Sequence, residues 1–177
     1  MSLQLTLRSA HDLSTSEQQI IIDVCTQAYG EDFTTVLAQF PDALHLLAYW
    51  ENKPASHACW VTRWLQLDGL PLLQTAYVEA VATVPAFQGR GIGSTVMQRV
   101  ATEIQDYALG GLCAAHEHIG FYQRLGWERW RGPKAIRTVE TLIATPDEDV
   151  MILRTAKTPS LDVSTTITAE WREGDLW

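Results

Sequence analysis

One stretch of the sequence has residue types and spacing that suit phosphate binding. Gln88-Gly89-Arg90-Gly91-Ile92-Gly93 follows a strand-like run, and apolar residues recur at helical spacing from Ser94 onward. Glycines permit positive φ and a close approach of the backbone to a ligand, while the first turn of a helix offers N–H groups without intrahelical acceptors. The pattern therefore predicts an anion site that favours phosphate.

Three interpretations of this loop compete on the residues alone. A dinucleotide site would need glycine at Ser94 and a loop directly after the strand, whereas Pro85-Ala86-Phe87 intervene. A P-loop would need Gly-Lys-Ser/Thr, which the sequence lacks. A glycine loop that only turns the chain remains open.

The elements around the loop are predicted from hydrophobic patterning and turn residues. A capping box, Ser14 with Glu17, starts a helix that Gly30 ends. The strand spacing of Trp60 and Trp64 places both rings on one face. They either line a substrate cleft or, as we expect for large aromatic residues, pack under the helices. In chain order the predicted elements are a strand at 3–7, helices at 15–29 and 31–40, antiparallel strands at 43–50, 56–67 and 72–84, a helix at 91–108, and a strand at 112–115 parallel to the central one.

Length and composition indicate one globular domain over residues 1–177. The chain is 46% hydrophobic and 19% charged, and no apolar run approaches the length of a membrane span. The N-terminus lacks the features of a signal peptide, and three scattered cysteines argue against a disulfide framework or a zinc site. We therefore expect a cytoplasmic protein.

The net charge of −8 bears on the choice of partner. Negative charge disfavours nucleic acid and anionic membranes and suits a polycationic amine. It also serves solubility without any ligand. The charge becomes informative only if carboxylates converge on the predicted site.

Two motifs resemble those of the GNAT superfamily of N-acetyltransferases. The string from Val84 through the glycine loop is similar to motif A of that family, and Phe121-Tyr122-Gln123-Arg124-Leu125-Gly126-Trp127 is similar to its F-Y-x-x-x-G-F/W helix. The resemblance implies an α+β fold with a mixed, mostly antiparallel twisted sheet, one splayed parallel strand pair and about four helices. It also implies acetyl-CoA as the cofactor.

Further segments resemble the aminoglycoside 2'-N-acetyltransferases in particular. These are the segment from Glu31 to Thr34, the run from Tyr77 to Thr83, and the tail of residues 158–177, which ends Trp171-Arg172-Glu173-Gly174-Asp175-Leu176-Trp177. The tail is expected to line the substrate site.

The resemblance assigns roles to individual residues. Glu79 accepts the amine proton through water, the N–H of Val81 polarises the acetyl carbonyl, and Tyr122 protonates the leaving thiolate. A solvated strand carboxylate and a buried, satisfied tyrosine are the alternatives for Glu79 and Tyr122. Cofactor binding falls to Val81, Ala82, Thr83, Gln88, Gly89, Arg90, Gly91, Ile92, Gly93 and Ser94, and substrate binding to Asp32, Glu79, Ala80, Cys113, Glu148, Asp175 and Trp177 with its terminal carboxylate.

Cys113 invites a second mechanism, in which an acetyl-cysteine forms with His116 or His118 as base. The resemblance instead implies direct transfer in a ternary complex. His116-Glu117-His118 has no second ligand cluster, so no metal is expected.

The resulting hypothesis is acetyl transfer from acetyl-CoA to an aminoglycoside-like amine. Another small amine, a peptide N-terminus, or non-catalytic binding of cationic drugs or acetyl-CoA are the alternatives. The residues 134–145 have the character of an exposed strand, so a homodimer is possible.

Overall fold

The structure, a computed structural model, describes residues 2–177, which divide into two compact units. The first unit comprises the described residues up to Val61 together with Val78–Thr102, and the second comprises Thr62–Tyr77 and Glu103–Trp177. The prediction of a single domain over 1–177 stays a prediction. No helix in the described part of the chain is long and apolar enough to span a membrane.

The elements confirm an α+β fold with a mixed, mostly antiparallel sheet. The helices are α1 (Thr15–Tyr29), α2 (Ile92–Glu103) and α3 (Ile119–Arg124). The strands are β1 (Leu3–Ser9), β2 (Leu44–Trp50), β3 (Lys53–Leu67), β4 (Leu73–Thr83), β5 (Leu109–Cys113), β6 (Glu128–Arg129), β7 (Lys134–Arg137), β8 (Leu142–Ala144), β9 (Val150–Arg154) and β10 (Ile167–Glu170).

In the first unit, α1 begins and ends where the sequence predicts. The Ser14 side chain accepts from the Glu17 N–H, the Glu17 carboxylate accepts from the Ser14 N–H, and Gly30 closes the helix at φ 74°. Strand β2 pairs antiparallel with β1 and β3, and β3 lies beside β4. Helix α1 covers this sheet through a buried cluster of Ile21, Val24, Cys25, Phe33, Leu47, Ala82 and Val84.

The second unit contains the predicted parallel pair. Thr75–Tyr77 of β4 pair with Leu109–Gly111 of β5, and the paired register stops there although β4 continues to Thr83. Strand β9 is antiparallel to β5 and to β6. Strand β10 is antiparallel to the end of β3 and parallel to β7, which pairs with β8.

A close backbone contact fixes the approach to β7. Arg131 and Gly132 donate their N–H groups to the Val163 carbonyl at 2.9 and 3.0 Å, and the Trp130 indole donates to the Thr165 carbonyl at 2.8 Å. A Cβ added at Gly132 would lie 1.9 Å from the Thr165 carbonyl oxygen. Only glycine allows these two chain segments to touch.

Several predicted elements differ in the structure. A second parallel pair, β7 with β10, joins the one expected, and the described residues form three α-helices rather than about four. The predicted helix at 31–40 is a turn followed by a short 3-10 helix, Leu37–Gln39. The reason is local: Asp32 accepts from the N–H and hydroxyl of Thr34 at 2.9 and 2.5 Å, a contact that competes with helical bonding.

The two tryptophans of β3 also differ from the prediction. Trp60 is buried, whereas Trp64 is 46% exposed. Residues 55–60 are buried on both faces of β3, but beyond Thr62 only the odd-numbered residues are buried. Trp64 therefore lies on the uncovered face, and the prediction that it packs under a helix is wrong.

Candidate active site

The glycine loop of the first unit has the geometry of an anion site. Gly89 and Gly91 have φ of 74° and 77°, and a Cβ at either position would meet nothing within 4 Å. Because Thr95 donates its N–H to the Gly91 carbonyl, helix geometry leaves the N–H groups of residues 91–94 without intrahelical acceptors. These amides lie beside exposed residues Gln88–Gly91 and are therefore accessible to an anionic ligand.

Strand β4, which leads into this loop, is distorted at Ala80. Ala80 has φ 48°, a left-handed conformation that is unfavourable for alanine. Each carbonyl oxygen from Glu79 to Ala82 accepts a side-chain hydrogen bond. The donors are Cys59 to Glu79 (3.5 Å), His57 to Ala80 (2.9 Å), Tyr29 to Val81 (2.8 Å) and Ser56 to Ala82 (2.6 Å).

The distorted segment, here called the β4 bulge (79–82), is joined to the loop and to Asp32. The Thr83 carbonyl accepts from the Gln88 amide at 3.1 Å. The ring of Tyr29, which donates to Val81, stacks on Phe33 at 4.7 Å. Asp32 precedes Phe33, and the hydrogen bonds from Thr34 lower its pKa. Asp32 therefore carries a negative charge on an exposed turn held near the β4 bulge.

Two buried histidines lie under the β4 bulge. His45 is 2% exposed and His57 is 0% exposed, and the His45 Nδ1 lies 3.0 Å from the His57 Nε2. Burial lowers the pKa of His45 to about 4, and burial together with the neighbouring His45 lowers the pKa of His57 to about 3. Both rings are neutral at pH 7. Their nitrogens and the Cys59 sulfur lie within 4.8 Å of one another, yet the rings already bond to each other and to the backbone.

In the second unit, Cys113 lies at the end of β5 against an acidic group. Its thiol donates to Glu148 Oε2 at 3.2 Å. Burial raises the pKa of Cys113, and the hydrogen bond to Glu148 with the negative charges of Glu148 and Asp175 raises it further. The sulfur is a protonated donor at neutral pH, so it is unsuited to a nucleophilic role.

The tail that carries Asp175 and Trp177 is held by arginines. Arg63, which is 2% exposed, donates to the Leu176 carbonyl at 3.0 Å and the Glu170 carbonyl at 2.7 Å. Arg172 donates through Nε to the Asp175 carbonyl and through Nη2 to the Trp177 oxygen at 3.1 Å. The terminal carboxylate predicted to bind an ammonium group thus already has a cationic partner.

The Trp177 indole ties the tail to the loop before Glu148. Its Nε1 donates to Thr145 Oγ1 at 2.7 Å, and the Glu148 N–H donates to the Thr145 carbonyl at 3.4 Å. Trp177 is 2% exposed. Of the predicted substrate residues, the second unit therefore brings together Cys113, Glu148, Asp175 and Trp177, while Asp32, Glu79 and Ala80 belong to the first.

Tyr122 lies on α3 in an aromatic group of the second unit. Its ring packs edge-on against Phe121 and Trp127, with centroids 5.1 and 6.2 Å away. Burial raises the pKa of Tyr122 to about 12. The phenol therefore stays protonated at neutral pH, so that it can donate a hydrogen bond but is a weak acid.

Sequence reasoning missed the groups that hold the predicted site residues in place. His45, His57 and Arg63 were not singled out, although a polar residue within an apolar strand run signals a buried, bonded side chain. The pairing of β2 with β3 sets His45 opposite Cys59 and Leu47 opposite His57. A correct hairpin register would have placed both histidines on one face.

A distorted strand, a glycine loop and a helix that opens with unpaired amides are features of an acetyltransferase fold, and sequence comparison agrees. The model of the acetyltransferase (GNAT) family matches residues 11–127. This chain belongs to the GNAT family of acetyltransferases.

Individual proteins are similar to this chain in sequence or in fold. The chain is 34% identical, over 97% of its length and 92% of the relative's, to an aminoglycoside 2'-N-acetyltransferase of Mycolicibacterium fortuitum. Among solved structures, an acyl-CoA N-acyltransferase from Pseudomonas aeruginosa aligns with a TM-score of 0.62 at 18% identity, covering 86% of this chain and 99% of that one. The ribosomal-protein-S18-alanine N-acetyltransferase from Escherichia coli aligns with a TM-score of 0.58 at 16% identity, covering 90% and 97%. The structural likenesses establish the fold.

Proposed function

We propose that this protein transfers the acetyl group of acetyl-CoA directly to a primary amine of an aminoglycoside-like substrate. The observation that carries the proposal is the run of amides from Gly91 to Ser94, opened by two glycines at positive φ and preceded by the β4 bulge. The similarity to an aminoglycoside 2'-N-acetyltransferase over 97% of the chain supplies the substrate class.

The residues of the glycine loop fit the cofactor's pyrophosphate. The N–H groups of residues 91–94 point from the positive end of α2, and Arg90 adds an exposed cation. Val81, Ala82 and Thr83 offer backbone groups to the pantetheine arm. When bound, the cofactor supplies an activated thioester carbonyl.

The amine must lose a proton as it attacks, and Glu79 is the proposed base. Glu79 is half-buried on β4, beside the peptide that links Ala80 to Val81. The Val81 N–H is proposed to stabilise the oxyanion that develops on the carbonyl.

Tyr122 is assigned to the leaving thiolate as a hydrogen-bond donor. Complete transfer from a phenol of pKa about 12 to a thiolate of pKa ~8.5 would be uphill by about 5 kcal/mol, at ~1.4 kcal/mol per pKa unit. A hydrogen bond to the developing charge costs none of this, and water completes the protonation.

The acidic residues account for a cationic substrate. Glu148 and Asp175 in the second unit, and Asp32 in the first, are proposed to bind ammonium groups by charge-assisted hydrogen bonds. The net charge of −8 raises the local concentration of a polycation. Affinity should therefore fall as the salt concentration rises.

Release of free thiol from acetyl-CoA in the presence of a panel of aminoglycosides tests the proposal. We expect Glu79→Gln to lower kcat at least 100-fold with substrate binding kept, and the matched variant Glu140→Gln, on an exposed turn, to retain wild-type turnover. Thiol release with small amines or peptide N-termini alone would assign another acceptor. Calorimetric binding without any turnover would identify a binding protein.

Direct transfer is tested separately with acetyl-CoA alone. Intact-mass analysis should show no acetylated protein, and Cys113→Ala should keep acetyl transfer. An acetyl adduct on Cys113 would contradict the ternary-complex mechanism.

A further inference from the structure

The β4 bulge is held by a buried hydrogen-bond chain whose direction can be deduced. The Ala80 carbonyl can only accept, so the His57 Nδ1 carries a hydrogen and donates to it at 2.9 Å. A neutral His57 then has a bare Nε2, which accepts from the His45 Nδ1 at 3.0 Å. The chain runs from His45 to His57 to Ala80.

This chain determines where the Val81 N–H points. The Ala80 carbonyl and the Val81 N–H belong to one trans peptide and point in opposite directions. Because His57, at 0% exposure, draws the carbonyl toward the core, the N–H of Val81 is directed away from His57. The orientation of this donor is thus set by a side chain that lies behind it.

The conformation would not persist without such a constraint. Ala80 at φ 48° costs about 1–2 kcal/mol relative to ordinary β geometry. Hydrogen bonds to Glu79, Val81 and Ala82 from other side chains hold the flanking peptides, and the His57 side chain binds the Ala80 carbonyl itself.

We propose that His57, oriented by His45, is a positioning residue for acetyl transfer, which fixes the Val81 N–H toward the developing oxyanion. This inference rests on the proposed function. Neither histidine touches the reacting atoms in this role. Loss of the chain should lower the rate of the chemical step more than cofactor binding, since the amides of the glycine loop are unaffected.

The test compares His57→Leu with His57→Asn. Leucine removes the donor, whereas the Asn side-chain nitrogen stands near the position of Nδ1 and can still donate to Ala80. We expect His57→Leu to lower kcat 10- to 100-fold, less than the 10²–10³-fold typical of deleting an oxyanion donor, with KM for acetyl-CoA changed less than threefold. His57→Asn should recover to within about fivefold of wild type. Equal kcat for the folded leucine variant and wild type would overturn the inference.

A second measurement does not depend on turnover. The carbonyl stretch of [1-¹³C]acetyl-CoA bound to the protein should shift to lower frequency in wild type, because a donor contacts it, and less in His57→Leu. His45→Leu, which leaves the Ala80 contact in place, provides the same comparison if His57→Leu does not fold and should give an intermediate shift.

These readouts separate the two proposals. A carbonyl shift that is present in wild type and smaller in His57→Leu, together with no thiol release with any amine, would remove the proposed function while still supporting the orientation of the Val81 N–H by His57. Turnover with an identical carbonyl frequency in wild type, His57→Leu and His45→Leu would support the proposed function and remove the positioning role of His57.

Discussion

Replacing Ala80 with glycine measures the strain stored in the β4 bulge. Alanine at φ 48° costs about 1–2 kcal/mol, which glycine would not incur. Against this gain, glycine loses about 0.5–1 kcal/mol through the greater freedom of the unfolded chain. It also loses part of a buried methyl group, worth at most ~0.8 kcal/mol, because Ala80 packs only partly against Phe40 and Cys59. The expected net change in the free energy of unfolding therefore lies between about −0.8 and about +1.5 kcal/mol.

Ala82→Gly is the matched control on the same strand. Ala82 is 2% exposed and is not among the described residues with positive φ, so glycine brings no strain relief there. The substitution should cost about 1.5 kcal/mol from chain freedom and the lost methyl group. Ala80→Gly should therefore be more stable than Ala82→Gly by about 1.5 kcal/mol.

Thermal and urea unfolding followed by circular dichroism supply the measurement. For a chain of this length, the expected difference corresponds to a melting temperature about 3–6 °C higher for Ala80→Gly than for Ala82→Gly. Ala80→Val should be the least stable of the three, since a β-branched residue is strongly disfavoured at positive φ. Equal destabilisation by the two glycine variants would refute the assignment of strain to Ala80.

Three further outcomes follow from the structure. Stability should fall as the pH drops from about 6.5 toward 4, because the unfolded chain takes up protons at His45 and His57, whereas their pKa values in the folded protein lie near 4 and 3. Urea unfolding midpoints measured between pH 7 and 5, a range above the ordinary carboxylate pKa values, check this prediction. A midpoint that does not change with pH would contradict it. Alkylation of Cys113 by iodoacetamide at pH 8 should be slower than that of an unfolded control peptide, and Glu148→Gln should accelerate it at least threefold by removing a hydrogen-bond acceptor and a negative charge. Peptide mass spectrometry gives the rates. Alkylation as fast as in the control peptide would show that the thiol is not held protonated. Arg63→Met should destabilise the protein by about 2–4 kcal/mol and speed tryptic cleavage after Arg172, because the partly buried carbonyls of Glu170 and Leu176 lose their donor. Unchanged cleavage would mean that the tail is held by other contacts.

The parts of the fold that the sequence predicts well are those determined by local chemistry. The capping box at Ser14 and the left-handed Gly30 fixed α1 to the residue, and the glycine loop correctly placed the start of α2 within a residue. These features depend on neighbours in the chain. The sequence signals of these caps and turns therefore do not depend on tertiary packing.

Errors arose where local signals compete. The strands predicted at 43–50 and 56–67 leave residues 51–55 to form the turn, but Glu51 and Asn52 alone make it, with φ of 49° and 63°. Pro54 lies within β3, opposite Tyr49, where a register shift next to Ala48 accommodates it. A proline inside a strand is possible there because the pairing is already irregular.

The candidate site shows the same division. Motif resemblance proposes Glu79, Val81 and the loop residues as site residues, because the motifs that carry them are contiguous in sequence. The supports of those residues come from elsewhere in the chain: Tyr29 is 52 positions from Val81, and Arg63 is 113 positions from Leu176. Only pairing and packing in three dimensions identify such partners.

The backbone contact at Gly132 gives the chain a position with no tolerance for substitution. In a library of random single-codon variants selected only for folded protein, position 132 should return glycine almost exclusively, since even alanine would have to push the backbone at Ser164 and Thr165 away to fit. Most sites of sequence invariance are read as marks of chemistry. At position 132, invariance would instead result from the lack of space for a side chain between two backbone segments in contact.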